Sequence, residues 1–154
     1  MPSRLPVVLI LSLVTTGCTA ATWEAIAAGA AAAAAGPSAA NYAPGASGKL
    51  MLFGGKGHDV YLGCLNCNKY ASDSVLNEYG LNGSSYQPNS IFNDYGQFGS
   101  EYSPYSACND YSADPPVIVD SAGKFYGRLT TNAYHPQRTS NTTFLALVAL
   151  ACAK

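Results

Sequence analysis

Beyond the first third of the chain, apolar residues come in short runs separated by glycine, proline and polar turns. "KLMLFGG" (49–55) and "HDVYLGCL" (58–65) are two such runs around a Gly-Lys-Gly step, a pattern that predicts a β-hairpin. A second pair, "PVIVD" (116–120) and "KFYGRLTT" (124–131), flanks a turn that ends in Gly123. Val117, Ile118 and Val119 favour a pleated strand, and Pro115-Pro116 place its beginning at an edge or a start of the sheet. Four strands are enough for one small antiparallel sheet. The last segment, "SNTTFLALVALACAK", offers Asn141 or Thr142 as a helix N-cap before ten apolar or small residues. Ten residues cannot span a bilayer. They predict a C-terminal helix docked on one face of the sheet through Phe144, Leu145, Leu147, Val148 and Leu150.

Between the two hairpins the pattern changes to a repeat of sixteen residues. "SVLNEYGLNGSSYQPN" is followed by "SIFNDYGQFGSEYSPY", which share Ser74/Ser90, Asn77/Asn93, Tyr79/Tyr95, Gly80/Gly96, Gly83/Gly99, Ser84/Ser100, Tyr86/Tyr102 and Pro88/Pro104. A partial third copy starts at Ser106 and keeps Asn109, Asp110 and Tyr111. "CLNCNKYASD" aligns Cys67 with Gly83 and Tyr70 with Tyr86, so the pattern begins half a unit earlier. In each unit a serine suits the cap of a helical turn, an acid complements its positive end, and glycine stops it. A single turn is unstable alone. The pairs Val75-Leu76, Ile91-Phe92 and Ala107-Cys108 are its packing residues, and two and a half copies must stack on the sheet rather than stand free. The expected fold is α+β: a small antiparallel sheet with short one-turn helical repeats and a C-terminal docking helix.

The repeat admits two functional readings. In one, Tyr and Asn satisfy recurring backbone needs and the unit is scaffold. In the other, Tyr79, Tyr86, Tyr95, Tyr102 and Tyr111, beside Asn77, Asn93 and Asn109, form a ladder of rings that stacks on sugars. That second reading makes the domain a carbohydrate- or cell-wall-binding module.

The N-terminus decides the setting. Arg4 and the apolar residues 5–14 form a signal peptide over residues 1–17, too short to span a membrane. Thr16-Gly17-Cys18 has the form of a lipoprotein cleavage site with Cys18 as the lipidated residue, although Thr15 stands where Leu is usual. Cleavage after Ala20 or Ala21 is the plain secretory alternative. An Ala-rich tether, 18–48, then precedes the domain, 49–154; its Trp23 and Ile26 belong to a linker or to the headgroup region. The expected protein is exported and held at the periplasmic or outer cell surface by lipid, with the membrane, a cell-wall glycan or another envelope protein as partner. Without Arg4 the chain carries seven basic and nine acidic side chains, so no basic stripe suits nucleic acid.

Cys64, Cys67, Cys108 and Cys152 remain, an even number that reads as two disulfides in an oxidising compartment. Three pairings are open. One bridge from the Cys64/Cys67 pair to Cys108 and one to Cys152 would pin the repeats and the helix to the sheet, and closure of Cys64 on Cys67 is the competing arrangement. The C-x-x-C lacks the strand-to-helix context of a redox pair, and zinc held by these cysteines or with His58 is a weaker reading. His58 and Asp59 point to opposite faces of a strand, which disfavours a catalytic dyad. His135, before Pro136, has no evident partner. "GASGKL" and "GGKGHD" do not complete a phosphate loop, no G-x-S-x-G is present, and Asp94, Asp110 and Asp114 suit only an irregular calcium site. No catalytic residue, metal or cofactor is expected. A thiol- or metal-dependent enzyme would need an ordered cluster around His58, Asp59 and a free thiol.

"LFGGKGHDVYLGCLNCNKYASDS", the repeats and "DPPVIVDSAGKFYGRLT" together resemble an uncharacterised family of bacterial exported proteins over residues 50–132. The resemblance implies a domain of this architecture and carries no catalytic or binding residue with it.

Overall fold

The structure, a computed structural model, describes residues 48–153. The signal peptide, Cys18 and the tether as far as residue 47 lie outside the described residues. Gly48 belongs to the fold, since its carbonyl accepts from Asn66 Nδ2 at 2.9 Å.

Four strands and one helix form where the apolar runs place them: β1 (Leu50–Gly54), β2 (Val60–Cys64), β3 (Val117–Asp120), β4 (Phe125–Arg128) and α1 (Thr142–Ala151). The sheet is antiparallel throughout, in the order β2-β1-β3-β4. Each hairpin pairs its own strands, and β1 pairs with β3, with Leu52 opposite Ile118, to join the hairpins. Side chains alternate along β1 with the period of a pleat, so Leu50 and Leu52 are buried while Met51 and Phe53 are half-buried. Asp120 closes the second hairpin from within: its Oδ1 accepts from the amides of Ala122 and Lys124, both at 2.9 Å.

One cluster forms the core. Leu50, Leu52, Leu62 and Ile118 from the sheet meet Val75, Ile91, Phe98 and Ala107 from the long connection, and Leu129, Phe144, Leu147 and Val148 from the C-terminal part. Gly54 is small because Phe98 lies on it; a Cβ there would stand 2.7 Å from the Phe98 ring. Burying a ring of that size stabilises by about 2–3 kcal/mol, which fixes the connection to the sheet.

The outer strands are closed in the same way on both sides. Cys64 of β2 bridges Ser74 in parallel, its amide donating to the Asp73 carbonyl at 2.7 Å and its carbonyl accepting from Val75 at 3.0 Å. Arg128 of β4 bridges Arg138 in parallel, with its amide on the Gln137 carbonyl at 2.8 Å and its carbonyl accepting from Thr139 at 3.0 Å. Before each bridge stands a glycine with φ in the left-handed range, Gly63 at 123° and Gly127 at 101°. A Cβ would meet Val75 and Asn82 at the first and Thr139 backbone at the second, all at 2.8 Å.

Three expectations need correction. Residues 65–116 contain no named helix: where one-turn helices were expected the chain makes single turns, as in Asn77 N to Ser74 O (3.2 Å) and Asn93 N to Ser90 O (3.3 Å). Glycine and proline recur too often for a second helical bond to form. The disulfides are Cys64–Cys67 and Cys108–Cys152, not crosslinks from the C-x-x-C pair to the two distant cysteines. The reason is local: Asn66 turns the chain back at the end of β2, its Oδ1 accepting from Leu50 N at 2.8 Å, which brings Cys67 within a Cα distance of 5.5 Å from Cys64. Finally, α1 begins at its Asn141 cap as expected, with Oδ1 accepting from Thr143 (2.9 Å) and Phe144 (3.3 Å). Its Phe144, Leu147 and Val148 enter the same buried cluster as Leu50, Leu52, Leu62 and Ile118 of the strands, and its disulfide also ties it to Cys108 in the connection. The expected contacts of Leu150 and Leu145 are the ones that fail, since Leu150 faces solvent and Leu145 is only half-buried.

The Cys108–Cys152 bridge closes a sequence separation of 44, against 3 for Cys64–Cys67. Chain entropy makes the longer loop the more stabilising. Cys152→Ser is expected to cost about 2–4 kcal/mol, and Cys67→Ser distinctly less, in denaturant unfolding of the oxidised proteins. Equal losses would contradict this division of labour.

Candidate functional site

Seven tyrosines stand out from the surface, from 76% exposed at Tyr70 to 99% at Tyr95. Every one is presented by the side chain two residues before it. Asn68, Asn77, Asn93, Asn109 and Asn132 accept through Oδ1 from the amides of Tyr70, Tyr79, Tyr95, Tyr111 and Tyr134, at 2.8–3.1 Å. Ser84 and Ser100 do the same through Oγ for Tyr86 (3.3 Å) and Tyr102 (3.2 Å). A short polar side chain that bonds its own backbone two residues on makes a tight turn without a helix or a ladder. At each turn the ring leaves the protein.

The asparagines use their other end as well. Nδ2 of Asn77, Asn93 and Asn109 donates to the carbonyl six residues back, that of Ala71, Gln87 and Ser103, at 3.0–3.1 Å. Asn132 Nδ2 reaches the Ser112 carbonyl at 3.3 Å. Ser74, Ser90 and Ser106, fully buried, accept from the amides of Leu76, Phe92 and Cys108 and turn Val75, Ile91 and Ala107 into the core. Serine and asparagine thus hold the backbone, the aliphatic residues face inward, and the tyrosines face outward.

Four open grooves lie between neighbouring rings. Tyr79 and Tyr86 bound one of ≈ 600 Å³ that also meets Glu78, Gly83 and Phe92. Tyr86 and Tyr95 bound one of ≈ 410 Å³ with Phe92 and Asp94. Tyr102 and Tyr111 bound one of ≈ 470 Å³ with Glu101, Asp110 and the Cys108–Cys152 pair. Tyr111 and Tyr134 bound the smallest, ≈ 260 Å³, with Asp110 and Ala133. Thr131 lines the last two, and its hydroxyl is buried with no hydrogen-bond partner among the described residues. A groove between two phenol rings offers apolar faces for a flat ligand and polar edges for its hydroxyls.

The remaining polar clusters hold the fold together. Lys49 Nζ and the Tyr61 hydroxyl both donate to Asp73 Oδ2, the latter at 2.9 Å. The Lys49 bond holds the Asp73 carboxyl below the usual carboxylate range and raises Lys49; burial, then the bond to Asp73, pushes the Tyr61 phenol up. His58 does not work with Asp59. Its Nε2 stands 3.1 Å from Asp114 Oδ1 and 2.9 Å from Arg128 Nη1, which donates to Asp114 (2.6 Å) and to the Pro115 carbonyl (2.8 Å). His58 has φ 52°, so the hairpin turn is held in a left-handed conformation by this cluster. Both thiols of the C-x-x-C lie in a disulfide, as do Cys108 and Cys152. Among the described residues no three His, Cys, Asp or Glu side chains are grouped to hold a metal ion, and Asp94, Asp110 and Asp114 form no such group.

The sequence-predicted Tyr79, Tyr86, Tyr95, Tyr102 and Tyr111 all reach the surface, while Asn77, Asn93 and Asn109 act as braces behind them. Tyr134, Asn132, Thr131 and Phe92 were not anticipated. A signal existed for the first two: Asn132-Ala-Tyr134 repeats Asn68-Lys-Tyr70 at a spacing of 64, four times sixteen. No family model, curated protein or solved structure matches the chain.

Removing one brace tests this architecture. Asn93→Ala takes the partner from the Tyr95 amide and leaves the Gln87 carbonyl with the Ser90 amide alone, and is expected to cost about 1–3 kcal/mol. Asn93→Asp keeps the acceptor for Tyr95 and should lose less. Denaturant midpoints unchanged from the parent in both variants would show that the braces are incidental.

Proposed function

We propose that this chain is an exported, lipid-anchored envelope protein whose domain is a carbohydrate- or cell-wall-binding module. The observation that carries the reading is the row of exposed tyrosines, each set by the same two-residue turn, with grooves between the rings. Exposing so much aromatic surface is costly in water, and fixing its backbone keeps the ring positions defined before a ligand arrives. Sugar rings, with apolar faces and hydroxyl edges, suit such sites. The sixteen-residue segments serve as repeated one-turn units that multiply one weak subsite into several, so affinity comes from avidity along a polymer. The alternative of a structural envelope protein uses the same braces and gives the outward rings no task.

Several features support the setting. The signal-like residues 1–17, with Cys18 following, and the Ala-rich 18–48 fit a lipid anchor and spacer. Two disulfides fit an oxidising compartment. No described helix is long and apolar enough to cross a membrane.

Two outcomes are expected. Sedimentation of the full protein with insoluble peptidoglycan and neutral polysaccharides should show binding that the combined Tyr79→Ala, Tyr86→Ala and Tyr95→Ala variant weakens by about tenfold or more. Its melting temperature should stay put, because the rings support nothing beneath them. Binding that survives loss of all three rings would sink the module reading. For the anchor, Cys18→Ser should remove acyl mass from the mature protein and shift it out of the membrane fraction; an unchanged mass and partition would refute lipidation.

A further inference from the structure

The grooves repeat their walls and vary their floor. Just after the buried aliphatic residue of each unit the chain carries Leu76, then Phe92, then Cys108. The amides of all three are held alike, by the buried serine two residues before. Phe92 is half-buried and packs against the core, whereas Tyr79, Tyr86 and Tyr95 beside it are 90–99% exposed. The phenols stand clear of the surface as walls, and the Phe92 ring lies at their foot. It lines two grooves at once, the one of ≈ 600 Å³ with Tyr79 and Tyr86 and the one of ≈ 410 Å³ with Tyr86 and Tyr95. These two are therefore halves of one trough with a shared aromatic floor on either side of Tyr86. In the groove between Tyr102 and Tyr111 the Cys108–Cys152 disulfide takes the matching place.

Charge and shape narrow what such a trough takes. No lysine, arginine or histidine lines either half, so an anionic polymer finds no counter-charge there. An aromatic floor is flat and apolar, and a neutral ligand that rests on it must present a flat apolar face of its own. Pyranoses whose substituents are all equatorial, as in glucose, do so on both sides. An axial hydroxyl, as in mannose, is pressed onto the ring, where it loses water and gains no partner. Successive sugars of a β-1,4 chain turn opposite faces to a surface. Every glucose unit can therefore rest on Phe92, and alternate mannose units cannot.

We propose, resting on the glycan reading, that Phe92 sets the specificity of the tyrosine row: the trough around Tyr86 takes neutral β-1,4 polymers of glucose-configured sugars and rejects mannose-configured ones. Successive sugars lie on either side of Tyr86, with their hydroxyl edges toward the open top. An equatorial acetamido group leaves the sugar faces free, so N-acetylglucosamine polymers belong to the same class. Leu76 and the Cys108–Cys152 pair give their units no flat floor, and the discrimination resides in the middle unit alone.

The test is calorimetric titration of the full protein with β-1,4-linked hexamers of glucose, N-acetylglucosamine and mannose, and with a proline decamer. The glucose and N-acetylglucosamine hexamers should bind alike and about tenfold tighter than the mannose hexamer. Phe92→Leu installs the residue that the first unit carries at this place. It should bring the three hexamers to within about twofold of one another, with a cooperative melting transition retained. Phe92→Tyr keeps the ring and should keep the margin; its loss there overturns the role of the ring, whether or not the leucine variant folds. Phe125→Leu, at an exposed ring outside these grooves, should leave the margin as it is in the parent. A margin that survives Phe92→Leu overturns the assignment to Phe92. Equal affinity for the glucose and mannose hexamers in the parent overturns the specificity and leaves the glycan reading standing. Binding to none of the hexamers overturns both. The proline decamer binding as tightly as the glucose hexamer also overturns the proposal, because the trough would then accept any apolar chain that stacks on rings.

Discussion

A stretch as long as residues 65–116, without helix or strand, stays folded only if its amides and carbonyls find partners by other means. Here short side chains supply them. Asn77, Asn93 and Asn109 are each spent at both ends, Oδ1 on a tyrosine amide and Nδ2 on a carbonyl six residues back. The buried Ser74, Ser90 and Ser106 each close the amide two residues on. These bonds are individually modest, about 1 kcal/mol each. They matter because without them every turn would leave unpaired polar groups against an apolar core. The same bonds dictate which way the tyrosines face, so the exposed row of rings is a by-product of how the backbone is satisfied.

Packing follows from that arrangement. With backbone needs met locally, one aliphatic side chain per turn is free to enter the core, and Val75, Ile91 and Ala107 do so at full burial. Phe98 adds the one large contact, seated on Gly54 of the central β1. The sheet is too small to make a core by itself. It acquires one because the connection and the C-terminal helix both deliver apolar residues to the same cluster.

The strands and the helix cap were legible because they are local: β-branched runs, turn glycines and an asparagine before an apolar stretch need no knowledge of distant residues. What the sequence concealed was long-range. The C-x-x-C pairs with itself because Asn66, holding the Leu50 amide, folds the chain back, and nothing in the spacing announces that bond. The helix is also tied to the connection, because Cys152 meets Cys108, which a run of apolar letters does not reveal. The tyrosines were visible as a ladder, yet their direction was not. In a turn, unlike a strand or helix, side-chain direction follows no simple period, and here it follows from the Asx and serine bonds. His58 was read beside its neighbour Asp59, whereas its partners Asp114 and Arg128 are remote in sequence.

The closed outer strands have a consequence wherever copies of the domain are crowded together. At high local concentration, short strands with open flanks and many aromatic side chains tend to zip together into continuous sheets. At Cys64 and at Arg128 the hydrogen bonds that such zipping needs are already taken by the chain's own Ser74 and Arg138 segments. Crowding can then press many ring arrays side by side without recruiting their backbones. A dense layer of these domains would remain a set of separate folds rather than become the seed of a fibre.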